Sequence, residues 1–189
     1  MRVSGYTKAA IFFSLFCALS AGGTLYAQET NEYGVEILRF RKVEDGLFRG
    51  GQPHEKDFKA LQQLGIKTIV SLRDNEEVVS WEEKTAARYG MAFVNFPLNA
   101  AREMPADVPG RFLDVVTEPA NRPVFVHCYH GKDRTGALIA LYRIVHHALS
   151  PEEAYEEARG LGFDPIFVKY KDFILNEAIT YRTTAGAER

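Results

Sequence analysis

Short apolar runs alternate with amphipathic stretches along most of the chain. Compact runs rich in β-branched and aromatic residues predict five strands, at 37–43, 47–48, 67–72, 91–96 and 123–127. Apolar residues at helical spacing between and after these runs predict six helices, at 54–64, 76–89, 105–116, 135–149, 151–160 and 163–181. Repeated alternation of strands and helices indicates one α/β domain, with a central, largely parallel sheet flanked by helices.

The N-terminal segment differs from this pattern. Two basic residues, Arg2 and Lys8, precede an uncharged apolar run and then small residues that end at Ala27. This arrangement is typical of a secretory signal peptide over residues 1–27, which predicts an exported protein that is periplasmic or secreted. The alternative is an uncleaved anchor, because residues 9–27 carry no charge and approach the length of a membrane span.

The signal peptide sets the remaining boundaries. We expect a flexible leader over 28–36, one folded domain over 37–181 and a disordered tail over 182–189. The composition, 46% hydrophobic and 25% charged, suits one ordinary globular domain. A net charge of -2 gives no global basic field, so we do not expect a nucleic-acid partner.

Cleavage after residue 27 would also remove Cys17, one of the 2 cysteines. Cys128 would then be alone in an exported protein, where it has no internal disulfide partner and is a candidate reactive thiol. The alternative is a buried cysteine that serves only as a small hydrophobic residue.

The surroundings of Cys128 favour the reactive thiol. Cys128 ends the strand at 123–127, and a short loop with Gly131 at its centre separates it from Arg134 and the helix at 135–149. Such a loop can hold a phosphate, because its backbone N–H groups and the helix N-terminus attract an anion. An arginine fork then binds two phosphate oxygens at once.

The same residue types suit nucleophilic attack on a phosphomonoester without a metal or other cofactor. Cys128 is the candidate nucleophile, and the charges of Lys132 and Arg134 favour its thiolate. We expect a hydrogen bond from Thr135 to that thiolate, and we expect His127 to orient the loop. The candidate phosphate-binding residues are those of the loop itself, Tyr129, His130, Gly131, Lys132, Asp133 and Arg134.

The segment from His127-Cys128 to Arg134-Thr135-Gly136 resembles the signature loop of the cysteine-dependent protein tyrosine phosphatase superfamily. Its Gly131-Lys132-Asp133-Arg134 ending, with the stretches 48–53 and 64–73, is similar to the atypical dual-specificity and bacterial tyrosine/lipid phosphatase branch. The resemblance implies a dual-specificity-phosphatase-like fold. It also implies a phosphocysteine intermediate on Cys128 that water hydrolyses.

The general acid is less clear from the sequence. Related enzymes place an aspartate on a loop before the cysteine, but the nearest position after the strand here is Asn99, which has no titratable proton. We favour Asp133, inside the signature loop, and keep Asp107 as the alternative acid, with Glu103 or no acid at all as the remaining alternatives. The simpler interpretations are an ion pair for Asp133 and a helix N-cap for Asp107.

The substrate also stays open at this point. The main hypothesis is a phosphatase for phosphotyrosine or other phosphorylated protein residues. A lysine in the loop, Lys132, also suits multiply phosphorylated groups, so a phosphoinositide headgroup or an inositol phosphate is the alternative substrate. Two more remote hypotheses are a rhodanese-type sulfurtransferase and a catalytically silent module that binds phosphate groups. A membrane contact is expected only through residues 9–27.

Overall fold

Five strands form one sheet in the order β1-β2-β5-β3-β4. The computed structural model describes residues 33–182, so the predicted signal peptide and most of the predicted tail lie outside the described residues. The strands are β1 (Arg41–Glu44), β2 (Leu47–Gly50), β3 (Thr68–Ser71), β4 (Ala92–Asn95) and β5 (Val124–His127). Only β1 and β2 pair antiparallel, and the other three pairings are parallel, which confirms the largely parallel sheet.

Helices cover both faces of the sheet. They are α1 (Asp57–Gln63), α2 (Glu76–Arg88), α3 (Val108–Thr117), α4 (Asp133–His146), α5 (Pro151–Gly160) and α6 (Val168–Asp172). Successive residues of β5 point to opposite faces. Phe125 packs in the hydrophobic cluster with α1 and α2, whereas Val124 and Val126 pack with α3 to α6. The central strand is therefore buried on both sides, as its apolar sequence predicts.

Side-chain caps begin two of these helices. The side chain of Asn75 accepts a hydrogen bond from Val78 N at 2.9 Å and begins α2. At the start of α5, Ser150 and Glu153 form a reciprocal capping box. The Asn75 cap lies just after β3, at the carboxyl end of the sheet, whereas the Ser150 cap follows the far end of α4.

The end of the chain departs from the predicted helix at 163–181. Residues 163–167 are not helical, α6 begins at Val168, and a π-helical turn follows at Phe173–Glu177. Pro165 explains why the helix does not begin at residue 163, because Asp164, the residue before the proline, is disfavoured in the helical region. Arg182, which we expected in a disordered tail, donates to the carbonyls of Ile144 and Leu149 at 2.6–2.9 Å.

The start of the domain also differs from the prediction. The expected leader over 28–36 is described from residue 33 onward. Val35 is only 1% exposed, and the Tyr33 ring packs against Phe40 and Phe48 with centroids 5.8 Å apart. The last part of the expected leader therefore belongs to the folded core. Within residues 33–182, no helix has the length and apolar character needed to cross a bilayer.

Candidate active site

A cavity opens beside the loop between β5 and α4. Its volume is about 390 Å³, and residues from four separate loops line it: Arg73, Asp74, Asn99, Ala100, Ala101, Cys128, Tyr129, His130, Asp133, Arg134 and Phe167. The carboxyl ends of β3, β4 and β5 all face it, as expected for a ligand site in a parallel sheet. Cys128 is 2% exposed. The predicted nucleophile, cradle arginine and favoured acid therefore line one cavity.

The loop turns its carbonyl groups away from this cavity. Each carbonyl from residue 128 to 132 accepts a bond at 2.7–3.2 Å, from His127 Nδ1, Gln52 N, Arg39 Nη1, Arg49 Nη2 and Gly136 N respectively. By contrast, the N–H groups of residues 129–134 donate to no acceptor within residues 33–182. Together with the N-terminus of α4, these donors form a nest for an anion above Cys128.

Arg134 is held in place through one nitrogen of its own side chain, Nη1. Its Nη1 donates to the carbonyls of Leu72 and Leu98 at 3.1 and 3.0 Å, and to Asp74 Oδ1 at 3.1 Å. These acceptors follow β3 and β4, so the sheet edge itself orients the guanidinium. The fork keeps Nε and Nη2 for two phosphate oxygens, which is the geometry that a bidentate clamp requires.

The loop depends on a very close backbone approach at Gly131. This residue has a φ of +69°, and a Cβ built there would lie 2.4 Å from the carbonyl group of Gly50 and 2.6 Å from Gly51 N. Arg49 Nη2 holds the carbonyl of Gly131 at 2.8 Å from the buried side of the loop. Only glycine fits at position 131 without moving β2.

A buried polar cluster lies directly beneath the nucleophile. His127 Nε2 and Glu82 Oε1 are 2.6 Å apart, and both side chains are 0% exposed. The contact has the distance of an ion pair but not the angles of a hydrogen bond. Ser71 Oγ donates to the other oxygen of Glu82 at 3.0 Å, and His127 Nδ1 lies 3.2 Å from the carbonyl of Cys128. This arrangement supports the expected role of His127 in orienting the loop.

The candidate acids lie in different places. Asp133, the first residue of α4, lines the cavity, and its Oδ1 accepts a bond from Asp164 N at 2.9 Å. Lys132 Nζ is 3.8 Å from its Oδ2. Asp107 and Glu103 do not line the cavity, and they pair on the surface with Arg111 and Lys169 respectively.

Two expected contacts differ in the structure. The hydroxyl of Thr135 is buried and has no hydrogen-bond partner in the described part of the chain, so the predicted bond to the thiolate is absent here. Asp107 is the N-cap residue of α3, as the simpler interpretation expected, but its side chain makes no capping hydrogen bond. Its carboxylate reaches forward to Arg111 instead.

The comparison with known proteins agrees with this geometry. Residues 31–175 match the family model described as a dual-specificity-type protein tyrosine phosphatase (DSP-PTPase) fused to NAD⁺ kinase. The chain belongs to this phosphatase family. It is therefore a cysteine-dependent, dual-specificity-type phosphatase, and the resemblance noted in the loop sequence is confirmed.

Curated relatives come from bacteria and plants. The dual specificity protein phosphatase TpbA of Pseudomonas aeruginosa (strain UCBPP-PA14) is 30% identical over 155 residues, 77% of this chain and 68% of that protein. Inositol diphosphatase DSP3 of Arabidopsis thaliana is 29% identical over 142 residues, 70% of each protein. The main hypothesis of a phosphatase is thus favoured over the rhodanese-type alternative.

Solved structures share the fold. The crystal structure of P. aeruginosa TpbA with phosphotyrosine matches with a TM-score of 0.67 and 23% identity, covering 79% of this chain and 91% of that one. The catalytic core of the PP-IP phosphatase SIW14 from S. cerevisiae matches with a TM-score of 0.69 and 23% identity, covering 80% and 93%. The predicted dual-specificity-phosphatase-like fold is confirmed.

Several residues of the phosphatase site were missed by the sequence analysis. Arg73 is one of these residues, and it forms no ion pair with a carboxylate within residues 33–182. Instead its Nη1 donates to Gln52 Oε1 at 2.5 Å, and its guanidinium lies 4.9 Å from the centre of the Tyr129 ring. The sequence analysis assigned no role to Asp74, which bonds Arg134, or to Glu82, which contacts His127. The available signal for Glu82 was its place on the buried face of α2, together with Thr85 and Ala86.

Proposed function

We propose that the protein hydrolyses phosphotyrosine and other aryl phosphomonoesters. Cys128 acts as the nucleophile, Arg134 and the loop N–H groups bind the phosphate oxygens, and Asp133 is the general acid. The observation that carries the proposal is the orientation of the loop, whose carbonyls point outward while its N–H donors remain for an anion above Cys128. Such donors stabilise the charge that develops in the transition state.

The two chemical steps follow from these positions. The Cys128 thiolate forms a bond to phosphorus while the bond from phosphorus to the leaving oxygen breaks, and Asp133 gives that oxygen its proton. Water then attacks the phosphocysteine and passes a proton back to Asp133. The sulfur–phosphorus bond breaks, which releases orthophosphate and restores the thiolate.

The rim of the cavity supports an aryl substrate. Tyr129 is 54% exposed and lies beside Arg73, so a flat apolar surface stands next to the phosphate nest. Phe167 contributes a second aromatic side chain to the lining. An aromatic ring attached to the scissile phosphate can pack against these groups. The phosphotyrosine complex of the structurally similar TpbA agrees with this choice.

A phosphoinositide headgroup or an inositol phosphate is the second candidate substrate. Lys132 and His130 lie on the crown of the loop, and Lys132 is only partly buried. The Lys132 ammonium group, 3.8 Å from Asp133 Oδ2, is a point charge that suits a further phosphate on the same ring. The inositol diphosphatases among the relatives favour the same alternative.

The cellular location is also part of this proposal. We expect residues 1–27 to direct export and to be removed, so that the mature enzyme acts in the periplasm or outside the cell. The alternative keeps the enzyme on the membrane through residues 9–27. Mass spectrometry of the protein from its own host distinguishes the two, because cleavage predicts a chain that begins at Gln28.

A substrate panel tests the proposed activity. We expect wild-type protein to hydrolyse p-nitrophenyl phosphate and phosphotyrosine peptides, with kcat/KM higher for the peptides than for any inositol phosphate or phosphoinositide. A reversed order would select the second candidate. Cys128→Ser should abolish turnover of every substrate, and Ser80→Ala, on the exposed face of α2, serves as the matched control. Tight binding without turnover by wild-type protein would instead identify a silent phosphate-binding module.

A further inference from the structure

A second cavity lies on the opposite side of the signature loop. Its volume is about 280 Å³, and three arginines and a glycine-rich segment line it: Arg39, Arg41, Arg49, Gly131, Gly160, Leu161 and Gly162. It shares no lining residue with the cavity that contains Cys128. Neither the proposed mechanism nor the aryl substrate uses these arginines directly.

The three arginines of this cavity form no direct ion pair in the described part of the chain, and the acid whose charge acts on Arg49, Glu157, is paired with Arg143. Within residues 33–182, no carboxylate oxygen lies within 4.0 Å of a side-chain nitrogen of Arg39, Arg41 or Arg49. Arg41 and Arg49 are direct partners in the antiparallel pairing of β1 and β2. Like charges placed opposite each other in a sheet are unfavourable, and a bound anion would relieve that repulsion.

Arg49 is the most deeply placed of the three. It is 3% exposed. Burial lowers its pKa to about 10, against the opposing effects of the Cys128 and Glu157 charges, so the guanidinium remains charged at neutral pH. A buried cation is costly unless it is paired, and its one hydrogen bond within the described chain goes to the carbonyl of Gly131. The remaining donors of Arg49 are therefore suited to an anionic ligand.

Arg39 and Lys132 extend the same positive surface around the loop. Arg39 adopts a φ of +54°, which is uncommon for a residue other than glycine, and its Nη1 donates to the carbonyl of His130 at 3.2 Å. A Cβ built at Gly162 would lie 3.5 Å from Arg39 Nε and 3.8 Å from Lys132 Cβ. Burial and then the charges of Lys132 and Arg39 lower the pKa of His130.

We propose that the three-arginine cavity binds a phosphate-type dianion, separate from the phosphate that Cys128 attacks. Guanidinium groups bind phosphate oxygens in pairs, and the three groups here approach one space from β1, β2 and the segment before β1. The ligand is either free orthophosphate or a second phosphate group of a polyphosphorylated molecule. Only the second source rests on the proposed phosphatase activity.

Occupancy of this site should also affect the signature loop. Arg39 and Arg49 hold the outward carbonyls of His130 and Gly131 through Nη1 and Nη2 respectively, so a dianion on their remaining donors would bind the same guanidinium groups that hold the loop. The loop N–H groups that face Cys128 belong to the same peptide segments. A ligand in the second site can therefore change the position and order of the loop N–H groups that face Cys128.

Phosphate binding to full-length protein tests the proposal. Titration with inorganic phosphate, followed by calorimetry, should show two sites per chain in wild-type protein and in the control variant Arg88→Gln. The variant Arg41→Gln should weaken one of the two sites by about tenfold, and Arg41→Lys should restore most of that affinity. Arg41 is exposed at the start of an edge strand, so the fold should tolerate both changes. A single site in wild-type protein, or two unchanged sites in Arg41→Gln, would overturn the proposal.

A second titration identifies the source of the phosphate. Inositol hexakisphosphate is added to wild-type protein and Arg41→Gln, each carrying Cys128→Ser. If Arg41→Gln lowers the affinity for inositol hexakisphosphate by a larger factor than the affinity for orthophosphate, the ligand is a polyphosphorylated molecule. An equal or smaller factor supports free orthophosphate. Turnover of p-nitrophenyl phosphate with only one phosphate site would remove this proposal and leave the phosphatase function. Two phosphate sites without turnover would support this proposal and remove the proposed phosphatase function.

Discussion

Arg134 Nη1 and Asp74 Oδ1 lie 3.1 Å apart across the mouth of the cavity. The two residues are 60 positions apart in sequence, and the ends of β3 and β5 bring them together. This contact gives the clamp arginine one carboxylate partner in addition to two backbone carbonyls. It leaves the edge of the guanidinium that carries Nε and Nη2 for the substrate.

Asp74→Asn should therefore weaken catalysis without unfolding the protein. The Asp74 side chain is 43% exposed, so solvent reduces the strength of the ion pair, and we expect kcat/KM to fall by roughly tenfold. The bonds from Arg134 to Leu72 and Leu98 should persist. Steady-state kinetics with an aryl phosphate measures the effect. Asp114→Asn, on the exposed side of α3, is the matched control, and equal kinetics for the two variants would contradict the role given to Asp74.

The general acid can be tested by replacing two aspartates. Asp133→Asn should lower kcat by about a hundredfold on phenyl phosphate, whose leaving group needs a proton, and by less on p-nitrophenyl phosphate. The asparagine oxygen can keep the bond from Asp164 N, so the loop should hold its shape. Asp107→Asn, which breaks only a surface pair with Arg111, should change kcat by no more than about twofold. Wild-type kinetics for Asp133→Asn would exclude it as the acid.

Gly131→Ala should distort the loop and destabilise the protein. The new methyl group would meet the backbone of Gly50 and Gly51, and the positive φ adds strain of about 1–3 kcal/mol. We expect loss of aryl phosphate turnover and a lower melting temperature. Gly110→Ala is the control, because its helical position in α3 is open and alanine there should stabilise slightly. Retention of wild-type stability by Gly131→Ala would contradict the close approach.

Glu44 should make stability depend on acidic pH. Burial alone would raise the pKa of Glu44, but hydrogen bonds from Tyr142 and Arg122 outweigh it and lower the pKa below 4.5. The carboxylate therefore contributes stability above the unfolded-state pKa of about 4.5, and this contribution is lost as the pH falls through the folded-state pKa. Urea unfolding of wild type and Glu44→Gln between pH 7 and pH 3 measures it. The gap between their unfolding free energies should narrow below about pH 4.5, and a constant gap would count against the assignment.

The sequence predicted what depends on local pattern. The strand ending at His127, the position of Cys128 beyond it and the helix leaving the loop all follow from short apolar runs, and the structure has them at 124–127 and 133–146. The parallel sheet followed from the alternation of strands and helices. In contrast, the helix predicted at 163–181 was wrong at its start, because the proline at 165 was not weighed against the apolar spacing.

The sequence could not place contacts between distant segments. Arg49 reaches the carbonyl of Gly131 across 82 positions, and its strand sequence gives no sign that its side chain is buried. Glu82 similarly becomes the partner of His127 only when α2 packs beneath β5. These partners depend on strand order and register, which the local pattern does not determine.

The most direct test of the phosphatase chemistry is to trap the intermediate on Cys128. Asp133→Asn protein should accumulate it, because loss of this carboxylate slows the attack of water more than transfer from an activated aryl phosphate. Rapid acid quenching during turnover of p-nitrophenyl phosphate, followed by peptide mass spectrometry, should find one phosphoryl group on Cys128 and none in Cys128→Ser. Turnover that survives Cys128→Ser, or phosphorylation at another residue, would contradict the assignment of Cys128 as the nucleophile.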